Sequence, residues 1–166
     1  MSGRAASNIP GFKLYGETVA WPTPDRIHCE SIAERSSLHD WEIKPHRHSD
    51  LVQLLYVQSG RALLKVEEQV REVEGPVLQV VPALSVHTFR FADTIQGHIL
   101  TLALPLVEQL EAALDGFRLA TPLCHGPGDD PQELDRLFNA IVREYHQVRV
   151  GRELMLQALI NQLLVW

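Results

Sequence analysis

The fold of this chain is decided by residues 45–60, which read PHRHSDLVQLLYVQSG. His46 and His48 are two positions apart, so in an extended segment their side chains leave the backbone on the same face. The apolar run from Leu51 to Val57 is rich in residues that favour strands, and Gly60 marks a turn into the next strand. The pattern indicates strands that direct imidazoles and apolar side chains into one pocket, as happens inside a β-barrel.

A third histidine, His87, follows a second apolar run, residues 75–81, and a break at Pro82. Alternation along the strands predicts one face that combines polar and apolar side chains. Its members are Gln53, Leu55, Val57, His87, Phe89 and Phe91. We predict that the three histidines converge with Gln53 nearby, and that His39 and Trp41 lie at the edge of the pocket.

Composition narrows the class of protein. The chain has 166 residues, of which 45% are hydrophobic and 22% charged, as in an ordinary soluble domain. A formal net charge of -6 argues against this piece binding nucleic acid by itself, and no apolar run reaches the length of a membrane span. Two cysteines without CxxC spacing favour a cytoplasmic protein rather than a disulfide framework.

The spacing of apolar residues divides the chain into three parts. Residues 1–24, rich in Gly and Pro, are predicted to form an N-terminal arm with little regular structure. Residues 25–104 read as many short strands, including one over 38–43, which indicates an all-β barrel or sandwich. At Pro105 the spacing changes to that of helices, so residues 105–166 are predicted to be mainly helical.

The last helical pattern, residues 154–166, is apolar on more than one face. Such a helix would leave a large apolar patch on a monomer, which predicts a homodimer. The residues assigned to the dimer contact are Leu156, Leu159, Ile160 and Leu163. The pattern stops without a capping residue, from which we expect a longer parent chain; docking of this helix on the body is the alternative.

The histidine pattern resembles the two motifs of the cupin family. His46-x-His48, Gln53 and Gly60 resemble the first motif, with Gln53 where the family usually has glutamate. Residues 82–87, Pro-x-Leu-x-x-His, resemble the second motif, with Leu84 where the family usually has glycine. The resemblance implies a mainly β fold with C-terminal helices: a cupin-like barrel of the jelly-roll, double-stranded β-helix type, followed by a helical dimerisation segment.

The whole chain resembles the N-terminal effector-binding and dimerisation domain of AraC/XylS-type transcription regulators, and within them the PobR-like activators of aromatic-compound catabolism. Residues 39–48, 53–60 and 152–166 carry the resemblance. It implies a sensor for a small aromatic acid such as a hydroxybenzoate, working as a homodimer. It also implies that DNA is bound only through helix-turn-helix motifs that this chain does not contain.

In enzymatic cupins, two histidines, a carboxylate and a third histidine bind a divalent metal. His46, His48, Gln53 and His87 occupy those places here. No cofactor is certain: the three imidazoles suit zinc, nickel or iron, and alternatively they bind one another, a water or an acidic effector. A metal-dependent dioxygenase or isomerase is therefore the alternative to a non-enzymatic sensor, and a dimerisation module with a vestigial barrel is a third possibility.

Three arginines are candidate partners for the carboxylate of an effector, because a guanidinium group binds a carboxylate through two parallel hydrogen bonds. They are Arg35, Arg61 and Arg90. The alternative for each is a solvated surface charge, and the sequence does not choose among them.

Overall fold

The computed structural model describes residues 26–115 and 119–166; the predicted N-terminal arm lies outside them. The strands are β1 (Ile27–Ser31), β2 (Glu42–His46), β3 (Leu51–Ser59), β4 (Arg61–Val66), β5 (Gln69–Glu74), β6 (Val77–Val81), β7 (His87–Phe91), β8 (Gln96–Ala103) and β9 (Leu123–His125). The helices are α1 (Ile32–Ser36), a 3-10 turn (Ser37–His39), α2 (Leu104–Ala113), α3 (Pro131–Tyr145) and α4 (Arg152–Val165).

The strands form two antiparallel sheets. One has five strands in the order β1-β8-β3-β6-β9, and the other has four in the order β2-β7-β4-β5. An apolar core lies between them, with Leu55, Val57, Leu64 and Phe89 among its buried members. The prediction of a mainly β, cupin-like fold with C-terminal helices is confirmed.

Strand β3 serves two cores because its side chains alternate. The side that faces the second sheet includes Leu55 and Val57, while Leu54 and Tyr56 face the helices. Tyr56 stacks on Phe138 of α3 with ring centroids 4.6 Å apart, and its hydroxyl donates to Asp135 Oδ1 at 2.9 Å. The helices are therefore the outer layer of the five-stranded sheet.

The buried side of α4 differs from the prediction. Leu156, Ile160 and Leu163 are at most 3% exposed, because they pack against α3 and the sheet of their own chain. Leu159 is partly buried against the same core. Leu156, Ile160 and Leu163 are enclosed by their own chain and are not available to a second copy, so the assignment of a dimer contact to these three residues was wrong, whereas that of Leu159 stays a prediction. The exposed apolar residues of α4 include Leu154 and Val165.

The strand predicted over residues 38–43 was also wrong. Ser31 caps a short helix, α1, by accepting a hydrogen bond from the backbone N–H of Glu34, whose side chain accepts from the backbone N–H of Ser31 in return. The 3-10 turn then carries the chain to Asp40 and Trp41, both with positive φ. Strand β2 begins only at Glu42.

The segment predicted as helical contributes one strand. Leu123, Cys124 and His125 pair with Val80, Gln79 and Leu78 of β6, which makes β9 the edge of the five-stranded sheet. The remaining elements of that segment are the helices α2, α3 and α4. Within the described ranges, no helix is long and apolar enough to cross a membrane.

Candidate functional site

The three histidines meet inside the barrel, as the sequence predicts. His46 of β2 lies directly across from His87 of β7 in the antiparallel register, and His48 follows β2 by two residues. Each is at most 2% exposed. One ring nitrogen from each lies within 4.8 Å of the others, and the Nε2 atoms of His46 and His48 are 3.2 Å apart.

The loop before β7 supports this arrangement. Leu84 donates its backbone N–H to the carbonyl of His48 at 2.6 Å, which fixes that histidine against the turn. Leu84 has a φ of 65°, in the left-handed region that glycine adopts most easily. The turn is therefore left-handed at the position where the resemblance to cupins leads us to expect glycine.

Backbone carbonyls orient two of the three rings. His46 Nδ1 donates to the carbonyl of Lys44 at 2.8 Å, and His87 Nδ1 donates to the carbonyl of Ser85 at 2.9 Å. A carbonyl only accepts, so in each neutral ring the lone pair is on Nε2. His87 Nε2 is buried and has no hydrogen-bond partner among the described residues.

Burial keeps the rings of His46 and His87 neutral. Loss of solvation lowers the pKa of His46 below its ordinary value. It lowers the pKa of His87 from 6.5 to about 3, and the neighbouring His46 adds to that shift. His46 and His87 therefore present neutral nitrogen lone pairs, the form that binds a metal or accepts a hydrogen bond from a ligand.

A cavity of about 10 Å³ adjoins the histidines. Its walls combine four predicted site residues, His46, Gln53, His87 and Phe89, with Glu30, Arg35, Ile43 and Ile99. Gln53 is 8% exposed and its amide donates to Thr101 Oγ1 at 3.4 Å. This volume holds about one water molecule or ion.

Other predicted site residues lie away from the cavity walls. Leu55, Val57 and Phe91 are buried in the barrel core, and Trp41 packs against that core from its edge. His39 is half-buried in the 3-10 turn and does not line the cavity. Neither these five residues nor His48 lines the cavity, and their role in ligand binding stays a prediction.

The structure separates the three candidate arginines. Arg35 lines the barrel cavity, where its Nε lies 2.7 Å from Glu30 Oε1. Arg61 and Arg90 are exposed and lie near Glu74 and Glu42, at 3.7 and 3.5 Å. Glu30 was not among the sequence candidates, and its position became visible only once β1 and α1 were placed.

A larger apolar cavity lies outside the barrel. It has a volume of about 240 Å³ and lies between the outer face of the five-stranded sheet and the end of α4. Its walls include Leu54, Val80, Leu163 and Trp166, and His125 lies among them. The two cavities thus lie on opposite faces of one sheet.

Residues 28–164 match the family model described as the AraC-like ligand binding domain. The chain belongs to this family. Together with the buried histidines, membership identifies the AraC-like domain as a ligand-binding regulatory module, which favours a regulator over an enzyme. The narrower resemblance to PobR-like activators stays a prediction.

Solved structures share the fold of this AraC-like domain. An apo ToxT variant from Vibrio cholerae is 9% identical with a TM-score of 0.54; the alignment covers 84% of this chain and 54% of that one. ToxT bound to (E)-4-(8-methylnaphthalen-1-yl)but-3-enoic acid is 9% identical with a TM-score of 0.52, over 84% and 55%. The chain spans about half the length of these ToxT chains.

A cupin 2 conserved barrel domain protein from Rhodopseudomonas palustris is 20% identical over 57% of this chain and 56% of that one, with a TM-score of 0.31. The curated proteins contain no match to this chain.

Proposed function

We propose that this domain senses a small aromatic acid, such as a hydroxybenzoate, for a cytoplasmic AraC-type transcription activator. The observation that carries the proposal is the cluster of three buried imidazoles beside Arg35 in an otherwise apolar barrel. His87 Nε2 accepts a hydrogen bond from a phenol, the guanidinium binds a carboxylate, and Phe89 with Ile99 contacts the ring. The signal passes to DNA-binding motifs outside this chain.

The ToxT structure with a bound naphthyl butenoic acid supports this class of ligand, since that molecule combines an aromatic system with a carboxylate. The chemical pairing matches the composition of the barrel interior here, where one guanidinium adjoins apolar walls. The fold is common to both proteins, and the ligand class is our extension to this chain.

The cavity is too small for an aromatic acid unless the barrel rearranges. About 10 Å³ adjoins the histidines, whereas benzene occupies an engineered cavity of about 150 Å³ in another protein. An aromatic acid therefore enters only a rearranged barrel, so binding selects that rearrangement. A ligand that prefers one arrangement shifts the population of the whole domain, which is what a sensor requires.

Calorimetry and thermal unfolding with a panel of hydroxybenzoates test the proposal. We expect an acid at 100 times its Kd to stabilise the domain by about 2.7 kcal/mol. His48→Ala should weaken this stabilisation, and His146→Ala, which changes an exposed histidine at the C-terminal end of α3, should not. Absence of any shift at millimolar concentrations of every acid would refute the proposal.

We also propose that the histidines hold a divalent metal, zinc, nickel or iron. The residues fit: three ring nitrogens converge, and His87 Nε2 is buried without a partner among the described residues. A bound metal supplies a Lewis acid for the phenolate or carboxylate of the effector. Metal analysis of the purified protein, before and after chelation, tests this; turnover of the acid by the metal-loaded protein would support the enzymatic alternative.

We propose further that the domain acts as a homodimer through the outward side of α4. Leu154 is 75% exposed, Met155 43% and Val165 72%, which is unusual for side chains of this kind on one helix. A dimer would let paired DNA-binding motifs read paired half-sites. Light scattering should show a dimer that Leu154→Asp dissociates without unfolding; a wild-type monomer at tens of micromolar would contradict this.

A further inference from the structure

Two charged residues, Glu30 and Arg35, close one side of the barrel cavity. Their side chains are 15% and 13% exposed, whereas the six other residues of the wall are at most 8% exposed. Arg35 Nε donates to Glu30 Oε1 at 2.7 Å. Solvent therefore reaches the cavity most closely beside this ion pair.

The same pair is the part of the wall best able to move. The rest of the wall consists of core side chains such as Ile43, Phe89 and Ile99, each at most 5% exposed and held by packing between the sheets. Glu30 and Arg35 have long flexible side chains, and Arg35 lies in the short helix α1. Since an aromatic acid needs more room than the cavity has, displacement of this pair is the least costly way to provide it.

The chemistry of the pair suits an exchange of partners. A guanidinium binds a ligand carboxylate with the geometry it uses for glutamate, so the acid replaces Glu30 without leaving the arginine unpaired. A carboxylate left alone in a half-buried site is costly, so Glu30 needs another partner. His28 provides one, because its Nε2 lies 3.6 Å from Glu30 Oε2.

His28 connects this site to the helical layer. Its Nδ1 lies 3.1 Å from the Tyr145 hydroxyl at the end of α3, and the two rings meet edge to face. The carbonyl of Tyr145 accepts two hydrogen bonds from Arg152 of α4, at 2.8 and 3.1 Å. A change at Glu30 thus reaches the junction of α3 and α4 through two side chains.

We propose that Arg35 selects carboxylate effectors by exchanging Glu30 for the ligand, and that the displaced Glu30 turns to His28 and alters its contact with Tyr145. The inference rests on the proposed binding of an aromatic acid in the barrel. It names the residue that recognises the acid and the route by which the helices respond. Arg61 and Arg90 have no part in it, because both lie outside the barrel beside their own glutamates.

Calorimetry with para-hydroxybenzoate and its neutral amide, para-hydroxybenzamide, tests the selection. Wild-type protein should prefer the acid by about 30-fold or more, the effect of a half-buried charge pair. Arg35→Met should bring the acid down to the affinity of the amide. Arg61→Met makes the same change at an exposed arginine and should leave the preference intact.

Glu30→Gln tests the exchange separately from Arg35→Met. It removes the carboxylate that competes with the ligand for Arg35 and keeps the shape of the side chain. Its affinity for the acid should rise several-fold while its affinity for the amide stays unchanged. If wild type binds the acid and Arg35→Met or Glu30→Gln leaves its affinity unaltered, the inference fails while the proposed function stands. If wild type binds neither compound, both fail.

Hydrogen exchange follows the route to the helices. The acid, but not the amide, should change the exchange of amides in residues 142–153 of the wild type. Tyr145→Phe should bind the acid with unaltered affinity and lose that response. An unchanged exchange pattern in the acid-bound wild type would overturn the route through His28 and Tyr145.

Discussion

The two faces of the five-stranded sheet come from the same strands and differ in every other respect. The outer face packs against helices through apolar contacts, and Tyr56 to Asp135 is the side-chain hydrogen bond that crosses from β3 to α3. The inner face carries Gln53 and Thr101 beside apolar residues, and Gln53 lines the cavity together with His87 of β7, whose buried Nε2 has no partner among the described residues. The outer face contributes packing, and the inner face borders polar groups that a ligand can use.

The comparison predicts that mutations on the two faces separate stability from binding. Outer changes should lower the free energy of unfolding and leave ligand affinity intact in the folded protein. Changes on the inner face should lower the ligand affinity and leave the free energy of unfolding nearly unchanged.

The largest expected effect is on the outer face. Phe138 is fully buried and stacks on Tyr56, so Phe138→Ala leaves a cavity and should destabilise the domain by about 3–5 kcal/mol. Urea unfolding measures this. Val148→Ala, at a fully exposed site between α3 and α4, should change stability by less than about 0.5 kcal/mol. Equal losses for the two variants would show that the helices do not carry the stability.

The second prediction concerns His87, which lines the cavity on the inner side of the sheet. Zinc at 100 times its Kd should stabilise the wild type by about 2.7 kcal/mol, and His87→Leu should abolish this gain. The variant itself should lose little stability, because leucine removes a buried nitrogen without a described partner. Thermal unfolding with and without zinc measures both the stabilisation by zinc and the stability change caused by the mutation. His125→Leu, at an exposed histidine, should respond to zinc as the wild type does.

The third prediction concerns the seam between β3 and β8, which both faces share. Gly97 has a φ of 156°, and a Cβ there would collide with the carbonyl oxygen of Tyr56. Gly97→Ala should therefore cost about 1–3 kcal/mol. Gly126→Ala meets nothing within 4 Å and should be nearly neutral, so chemical denaturation of the pair isolates the collision.

A smaller effect is expected for the polar contact of the outer face. Tyr56→Phe removes the 2.9 Å hydrogen bond to Asp135 and keeps the stacked ring, so it should cost about 1 kcal/mol. Its affinity for acids in the barrel should equal that of the wild type. A change in affinity measured by calorimetry would show that the faces are coupled through β3.

The smallest effect concerns pH. Burial would raise the pKa of Glu30, but contacts with His28 and Arg35 outweigh it and hold the pKa below its ordinary value of 4.5. A lowered pKa in the folded state stabilises the protein above pH 4.5, and this contribution is lost as the pH falls through the folded pKa. The stability difference between wild type and Glu30→Gln should therefore shrink on acidification. A difference independent of pH would contradict it.

The sequence predicted part of the cavity wall, because strand alternation is a local property. His46, Gln53 and His87 were placed by spacing and by the cupin resemblance, and each lines the cavity. The volume of the cavity was not predictable, because it depends on how side chains from both sheets fill the interior. Glu30 and Arg35 reach the site through the pairing of β1 with β8, about 70 residues apart along the chain, which no local pattern reveals.

The orientation of α4 escaped prediction for another physical reason. Its apolar residues are spread around the helix, so periodicity does not indicate which side is buried; Leu156 and Ile160 are inside, and Leu154 is outside. The helix α1 was missed because five residues carry little periodic signal. The pair Ser31 and Glu34 was the available clue, since it forms a capping box.

Strand β9 protects the domain against aggregation through an open sheet edge. Without it, β6 would present Val77, Leu78, Gln79, Val80 and Val81 as an open edge, a segment with high β-propensity and no charge. Leu123–His125 covers that edge and is itself only three residues long, too short to template a further strand. The other sheet ends at β5, where Arg71, Glu72 and Glu74 discourage pairing. At these two of the four sheet edges, a short covering strand and charged side chains therefore oppose the pairing of a further strand.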